Sequence, residues 1–243
     1  MSAARERLAF AADLPLEQAI EVYARIAPQV AFAKVGLSLF VEHGPRAVEA
    51  FLTRGAKVFL DLKLHDIPNT VELAASHAGA LGASLLTVHA SGGEAMLQAA
   101  VAGARAGAAK AGKAAPKVLA VTVLTSLSEA DLRAQAIPGS AAEHVERLAA
   151  LVHRAGVDGL VCSPREAAAL RAKYGPDFFL CTPGIRPAGA EGGDQARTET
   201  PAAAIAAGAD LLVVGRPIYE APNPAVAARR IAQEVELALP DFR

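Results

Sequence analysis

Asp61, Lys63 and Asp66 stand close together in the stretch Phe59-Leu60-Asp61-Leu62-Lys63-Leu64-His65-Asp66-Ile67-Pro68-Asn69-Thr70. The apolar run that carries them reads as a buried strand, and charge is costly to bury unless it is paired. Spacing of i, i+2 puts Asp61 and Lys63 on one face of a strand. Asp66 follows just past the strand end, before a proline that stops it. An ammonium held between carboxylates can stabilise negative charge developing on a neighbouring atom and can deliver a proton to it. The plainer reading is a buried ion pair that only fixes strand register. Chemistry is the better reading, because perturbed charges gather at functional sites.

Such a cluster needs a scaffold, and short apolar runs alternate with longer Ala-rich segments along the whole chain. Strands are expected at Leu8–Ala12, Val30–Val35, Lys57–Leu62, Ser84–His89, Val118–Leu124, Gly159–Cys162, Phe178–Cys181 and Asp210–Val214. Helices are expected between and after them, at Leu16–Ala27, Pro45–Arg54, Thr70–Leu81, Gly93–Ala108, Ala141–Ala155, Pro164–Lys173, Pro201–Ala207 and Ala225–Leu237. Near-continuous apolar strands suit a parallel sheet covered on both faces. Eight strand–helix pairs in 243 residues predict an α/β fold, a single (β/α)8 TIM barrel spanning residues 1–243. The Ala-Gly-Lys stretch Ala102–Ala115 reads as a helix with a polar exit loop.

In such a barrel the active site lies at the C-terminal ends of the strands. Most strands here end in a residue able to bind or react: Asp13 after the first, Lys34 in the second, Asp61 and Lys63 in the third, His89 in the fourth. Thr125-Ser126 follows the fifth, Thr182-Pro183-Gly184-Ile185-Arg186 the seventh, and Gly215-Arg216 the eighth. Alone, Asp13 reads equally well as a helix cap, and His89 as a core histidine. Recurrence at equivalent positions favours one shared site. Gly215 and Arg216, where a glycine turn meets a short helix, suit a phosphate dianion. The long Gly-rich loop Pro183–Arg197, with Arg186 and Gln195, is placed to close over a ligand.

Composition narrows the function classes. With 24 basic and 25 acidic residues the chain lacks the basic stripe of a nucleic-acid binder, and no like-charge run suggests a membrane surface. No signal peptide is visible, and no apolar stretch reaches the ~18 residues of a membrane span. Cys162 and Cys181 are too few for a disulfide framework and too isolated for zinc; both are expected to be buried thiols. The expectation is a soluble cytoplasmic protein.

Asp-x-Lys-x-x-Asp-Ile-Pro-Asn-Thr at 61–70 resembles the signature of the orotidine 5'-phosphate decarboxylase family. The resemblance continues through Ala12-Asp13, Phe32–Gly36, Thr87–Ala90, Val121–Ser126, Thr182–Arg186, Gly193–Arg197 and Val214–Ile218. It implies decarboxylation of orotidine 5'-phosphate (OMP) to UMP, in pyrimidine synthesis, without cofactor or metal. It implies that Asp13 and Lys34 hold the ribose end, that Thr125 lines the ring pocket, and that Pro183 is among the substrate-binding residues. Arg186, Gln195, Gly215 and Arg216 would hold the phosphate. Asp66, Ile67 and Thr70 would reach into a neighbouring subunit's site, making the active unit a homodimer. Lys63 would stabilise and protonate C6, in an alternating charged row with Lys34, Asp61 and Asp66.

Three other readings remain at this stage. Related phosphosugar barrels share the Asp-x-Lys-x-x-Asp core but use Mg2+ and, by resemblance, a Glu at the end of strand two, where this chain has Lys34. Phosphoribosyl barrels lack the charged row. A catalytically dead nucleotide-binding barrel would be expected to have lost part of it.

Overall fold

The structure, a computed structural model, describes residues 2–187 and 199–239. Eight strands follow one another in the chain: β1 (Leu8–Ala11), β2 (Phe32–Gly36), β3 (Lys57–Leu64), β4 (Leu85–His89), β5 (Lys117–Val121), β6 (Gly159–Val161), β7 (Phe179–Thr182) and β8 (Leu211–Val214). Each pairs in parallel with the next, and β8 returns to β1, closing the barrel. Around it lie α1 (Leu16–Ile26), α2 (Leu37–His43), α3 (Pro45–Leu52), α4 (Pro68–Leu81), α5 (Glu94–Lys110), α6 (Glu129–Ala134), α7 (Ala141–Arg154), α8 (Pro164–Tyr174), α9 (Pro201–Ala206), α10 (Arg216–Tyr219) and α11 (Pro224–Ala238). The (β/α)8 expectation holds.

Side-chain alternation divides the core in two. Ala9, Ala11, Phe32, Phe59, Leu85, Leu119, Cys181, Leu211 and Val213 fill the barrel interior. Their neighbours, such as Leu8, Phe10, Leu60 and Leu86, pack outward against the helices. The interior columns begin apolar and gain polar residues at their C-terminal ends. Phe32 leads to Lys34, Phe59 to Asp61, and Leu85 to Thr87. Alternation of period two thus gathers these side chains at the mouth. Both cysteines are buried free thiols, as expected.

Several boundaries differ from the sequence reading. β5 stops at Val121 rather than Leu124, because β6 is only three residues long and its last pair is Val121 with Val161. Between β2 and α3 the chain inserts α2, which was not anticipated. Gly44, at φ +56°, breaks the path so that α2 and α3 run separately.

β3 departs most. It continues to Leu64 instead of ending at Leu62, and it is bulged. Leu60 pairs with Leu86 and Leu64 with Val88, so four steps of β3 match two of β4. Lys63 sits in this bulge at φ +50°, a left-handed conformation that costs a non-glycine residue about 1–2 kcal/mol. Strict alternation therefore does not explain how Asp61 and Lys63 come to face each other.

Candidate active site

At the C-terminal mouth a cavity of about 510 Å³ is lined by residues from several strands. Its walls include Asp13, Lys34, Asp61, Lys63, Thr125, Pro183, Arg186, Gly215 and Arg216, all anticipated from the sequence. That volume suits a small organic ligand.

One wall is a row of charge. Lys63 Nζ donates to Asp61 Oδ2 at 2.8 Å, and Lys34 Nζ approaches the same oxygen at 3.7 Å. Lys34 Nζ also donates to Asp13 Oδ1 at 3.1 Å. Asp13 is thus no helix cap: the position before α1 is Pro15, with no side-chain cap. Gly36 makes room beneath this pair, since a Cβ there would lie 3.1 Å from Lys34 Nζ. Burial pushes the Asp61 carboxyl upward, but the charges of Lys34 and Lys63 and hydrogen bonds from Lys63 and Thr87 outweigh it. Its pKa stays below the ordinary carboxylate value.

Across the cavity, Arg186 and Arg216 stand together. Burial and then the charge of Arg216 lower the Arg186 pKa. Two partly desolvated guanidiniums that repel each other are stabilised by a bound dianion. The Arg186 backbone N–H donates to the Glu199 carbonyl at 3.0 Å, fixing one end of the β7 loop. Gly215 precedes α10 where a Cβ would meet Ala11 Cβ at 3.2 Å and the Tyr219 ring at 3.4 Å. Gln195 and Arg197, expected in this loop, lie outside the described residues.

Asp66, Ile67 and Thr70 are exposed and do not line the cavity of their own chain. Asp66 accepts the Ile67 N–H at 2.6 Å, and it forms no ion pair with Lys63 among the described residues. The row within one chain is therefore Lys34, Asp61 and Lys63.

Two lining or supporting residues, Thr87 and Tyr219, escaped the sequence reading. Thr87 is wholly buried and links Lys63 to Asp61 by hydrogen bonds. Tyr219 lines the cavity between Asp13 and the two arginines; burial and the Asp13 and Glu220 charges raise its pKa. His89, anticipated at the end of β4, is half-buried, with its ring 5.5 Å from that of His65. Burial and the charges of His65 and Lys63 hold its pKa down. A Thr or Tyr inside an apolar stretch gives no sequence signal of its own.

A family model described as "Orotidine 5'-phosphate decarboxylase / HUMPS family" matches residues 6–231. The chain belongs to this family. An orotidine 5'-phosphate decarboxylase from Anaeromyxobacter sp. (strain K) is 56% identical over 228 residues, covering 93% of this chain and 97% of that protein. One from Moorella thermoacetica is 49% identical over 236 residues, covering 96% and 94%. A crystal structure of orotidine 5'-phosphate decarboxylase from Lactobacillus acidophilus superposes with a TM-score of 0.84 at 40% identity, covering 95% of this chain and 99% of that one. The family assignment rests on nearly the whole chain, so the 61–70 signature is not an isolated motif.

Proposed function

We propose that this chain decarboxylates OMP to UMP, the step that completes de novo pyrimidine nucleotide synthesis, with no cofactor or metal. The observation that carries this reading is the Lys34–Asp61–Lys63 row, set at the mouth of a barrel of this family and facing a pair of arginines.

Loss of CO2 from C6 of the orotate ring leaves an electron pair in the ring plane. That pair is orthogonal to the π system, so the ring carbonyls cannot delocalise it. Its stabilisation must be electrostatic. Lys63, aimed by Asp61, presents an ammonium to C6 and then transfers a proton to it. The C6–CO2 bond electrons end in the new C6–H bond, and the lysine is left neutral until it regains a proton. The charge is already in place, so little reorganisation is needed as the carbanion forms.

Arg186, Gly215 and Arg216, with Gln195, hold the phosphate, while Asp13 and Lys34 hold the ribose. Thr125 and Pro183 line the base pocket. Phosphate binding lies far from the breaking bond but helps to order the charged row. Lys34 also separates this reading from the Mg2+-dependent relatives. An ammonium at the end of β2 repels a divalent cation and occupies the place that the resemblance gives to a metal-binding Glu.

The active unit is a homodimer in which Asp66, Ile67 and Thr70 enter the partner's site. Support comes from their exposure together with Leu73: Ile67 is 66% and Leu73 57% exposed at the start of α4. Apolar side chains this exposed beside a functional segment suit a second copy. No described helix is long and apolar enough to cross a membrane. A cytoplasmic location accords with a substrate that is a small nucleotide.

Ultraviolet absorbance of OMP mixed with the purified protein in EDTA tests the activity. Conversion to UMP at catalytic protein concentrations is expected. No conversion by folded protein, with activity on a phosphosugar once Mg2+ is added, would overturn it.

A further inference from the structure

We propose that Thr87 is the positioning residue that fixes the Asp61–Lys63 pair in its working geometry, through its hydroxyl and not through its bulk. This rests on the decarboxylation reading and extends it to a residue on a different strand.

Thr87 lies in β4, in the interior column, and has no solvent exposure. Its Oγ1 accepts the Lys63 backbone N–H at 2.9 Å and donates to Asp61 Oδ1 at 2.8 Å. A hydroxyl carries one proton, so donation to Asp61 sets its orientation and leaves a lone pair for the Lys63 amide. One side chain therefore engages both members of the pair.

Each contact answers a specific need. The β3–β4 register shifts between Leu60 and Leu64, so the Lys63 amide lies where the regular ladder is interrupted. Buried amides need partners, and Thr87 supplies this one. It thereby anchors the left-handed Lys63 backbone, from which the side chain sets out toward the cavity. On Asp61, Thr87 occupies Oδ1 and leaves Oδ2 for the lysines at 2.8 and 3.7 Å. A carboxylate held at one oxygen cannot rotate its other oxygen away from the ammonium groups. Displacement of a reacting group by about 1 Å costs on the order of 100-fold in rate.

Valine has nearly the shape of threonine without the hydroxyl, whereas serine keeps the hydroxyl without the methyl. The two substitutions therefore separate the two roles. Thr87→Val should lower kcat by roughly 10- to 100-fold with KM changed less than about threefold, because the ribose and phosphate anchors are untouched. Thr87→Ser should keep kcat near wild type. If Thr87→Val does not fold, Thr87→Cys replaces it: its thiol is a weak donor and acceptor, and kcat should again fall well below that of Thr87→Ser. Each variant is assayed with OMP beside wild type, and its folding is checked by thermal denaturation. A Val or Cys variant with wild-type kcat, or a folded Ser variant as impaired as they are, would overturn the proposal. Wild-type protein inert toward OMP would overturn the decarboxylation reading itself, and with it this use of Thr87.

Discussion

Asp61 is the most informative single residue, because it is buried and ionised at once. Its pKa is depressed in the folded state, so the stability it contributes is present above the unfolded value near 3.8 and lost as pH falls through the folded value. Wild type and Asp61→Asn should therefore differ in unfolding free energy at neutral pH. The difference should shrink in acid below about pH 4, and denaturant titrations at several pH values check this. A gap that stays constant from neutral to strongly acidic pH would contradict the assigned ion pairing. Arg216 lines the other end of the cavity and is proposed to hold the phosphate, where a charge-assisted contact typically contributes a factor of about 10 to 100 in binding. Steady-state kinetics of Arg216→Ala should show KM raised by that order, with a smaller fall in kcat. An unaltered KM would remove Arg216 from the phosphate site. The charged members of the site were legible from the sequence, because charge within an apolar strand demands a reason. Thr87 and Gly36 were not, since a small polar or absent side chain is compatible with any strand interior.

At the scale of elements, the α4–α5 pair shows how composition conceals packing. Ala102–Ala115 reads in the sequence as a helix and its exit loop, and α5 does end at Lys110. The spacing did not disclose that Gly103 and Gly107 are contact points. A Cβ at Gly107 would lie 1.8 Å from the Ser76 carbonyl oxygen, and one at Gly103 2.1 Å from that of Glu72. α4 carries Thr70 and begins just after Asp66, so this close approach sets the platform of the segment assigned to the partner's site. Gly107→Ala should destabilise by about 1–3 kcal/mol through overpacking, read as a lower denaturant midpoint. An unchanged midpoint would mean that the helices separate freely. The bulge in β3 was equally hidden. Leu60–Leu64 alternates apolar and charged residues without interruption in the sequence, and only pairing with β4 reveals the extra residues. Barrel closure, by contrast, was legible from eight repeats of strand and helix, since each strand is apolar enough to be covered on both faces.

For the whole molecule, the main consequence of the proposed homodimer is a division of labour between subunits. Lys63 belongs to its own chain's cavity, and Asp66 is proposed to serve the neighbour's. Lys63→Ala and Asp66→Ala proteins, each inactive alone, should regain activity when mixed and allowed to exchange subunits, up to about a quarter of wild type for random pairing. Activity that stays absent after proven exchange would place Asp66 in its own chain's site. The most direct test of Lys63 as carbanion stabiliser and proton donor compares OMP turnover, in EDTA, by wild type and by Lys63→Ala. Wild type should form UMP rapidly. Folded, UMP-binding Lys63→Ala protein should be slower by about 1000-fold or more, as expected when a charge stabiliser and proton donor are removed together. Substantial turnover by Lys63→Ala would remove Lys63 from the chemical step.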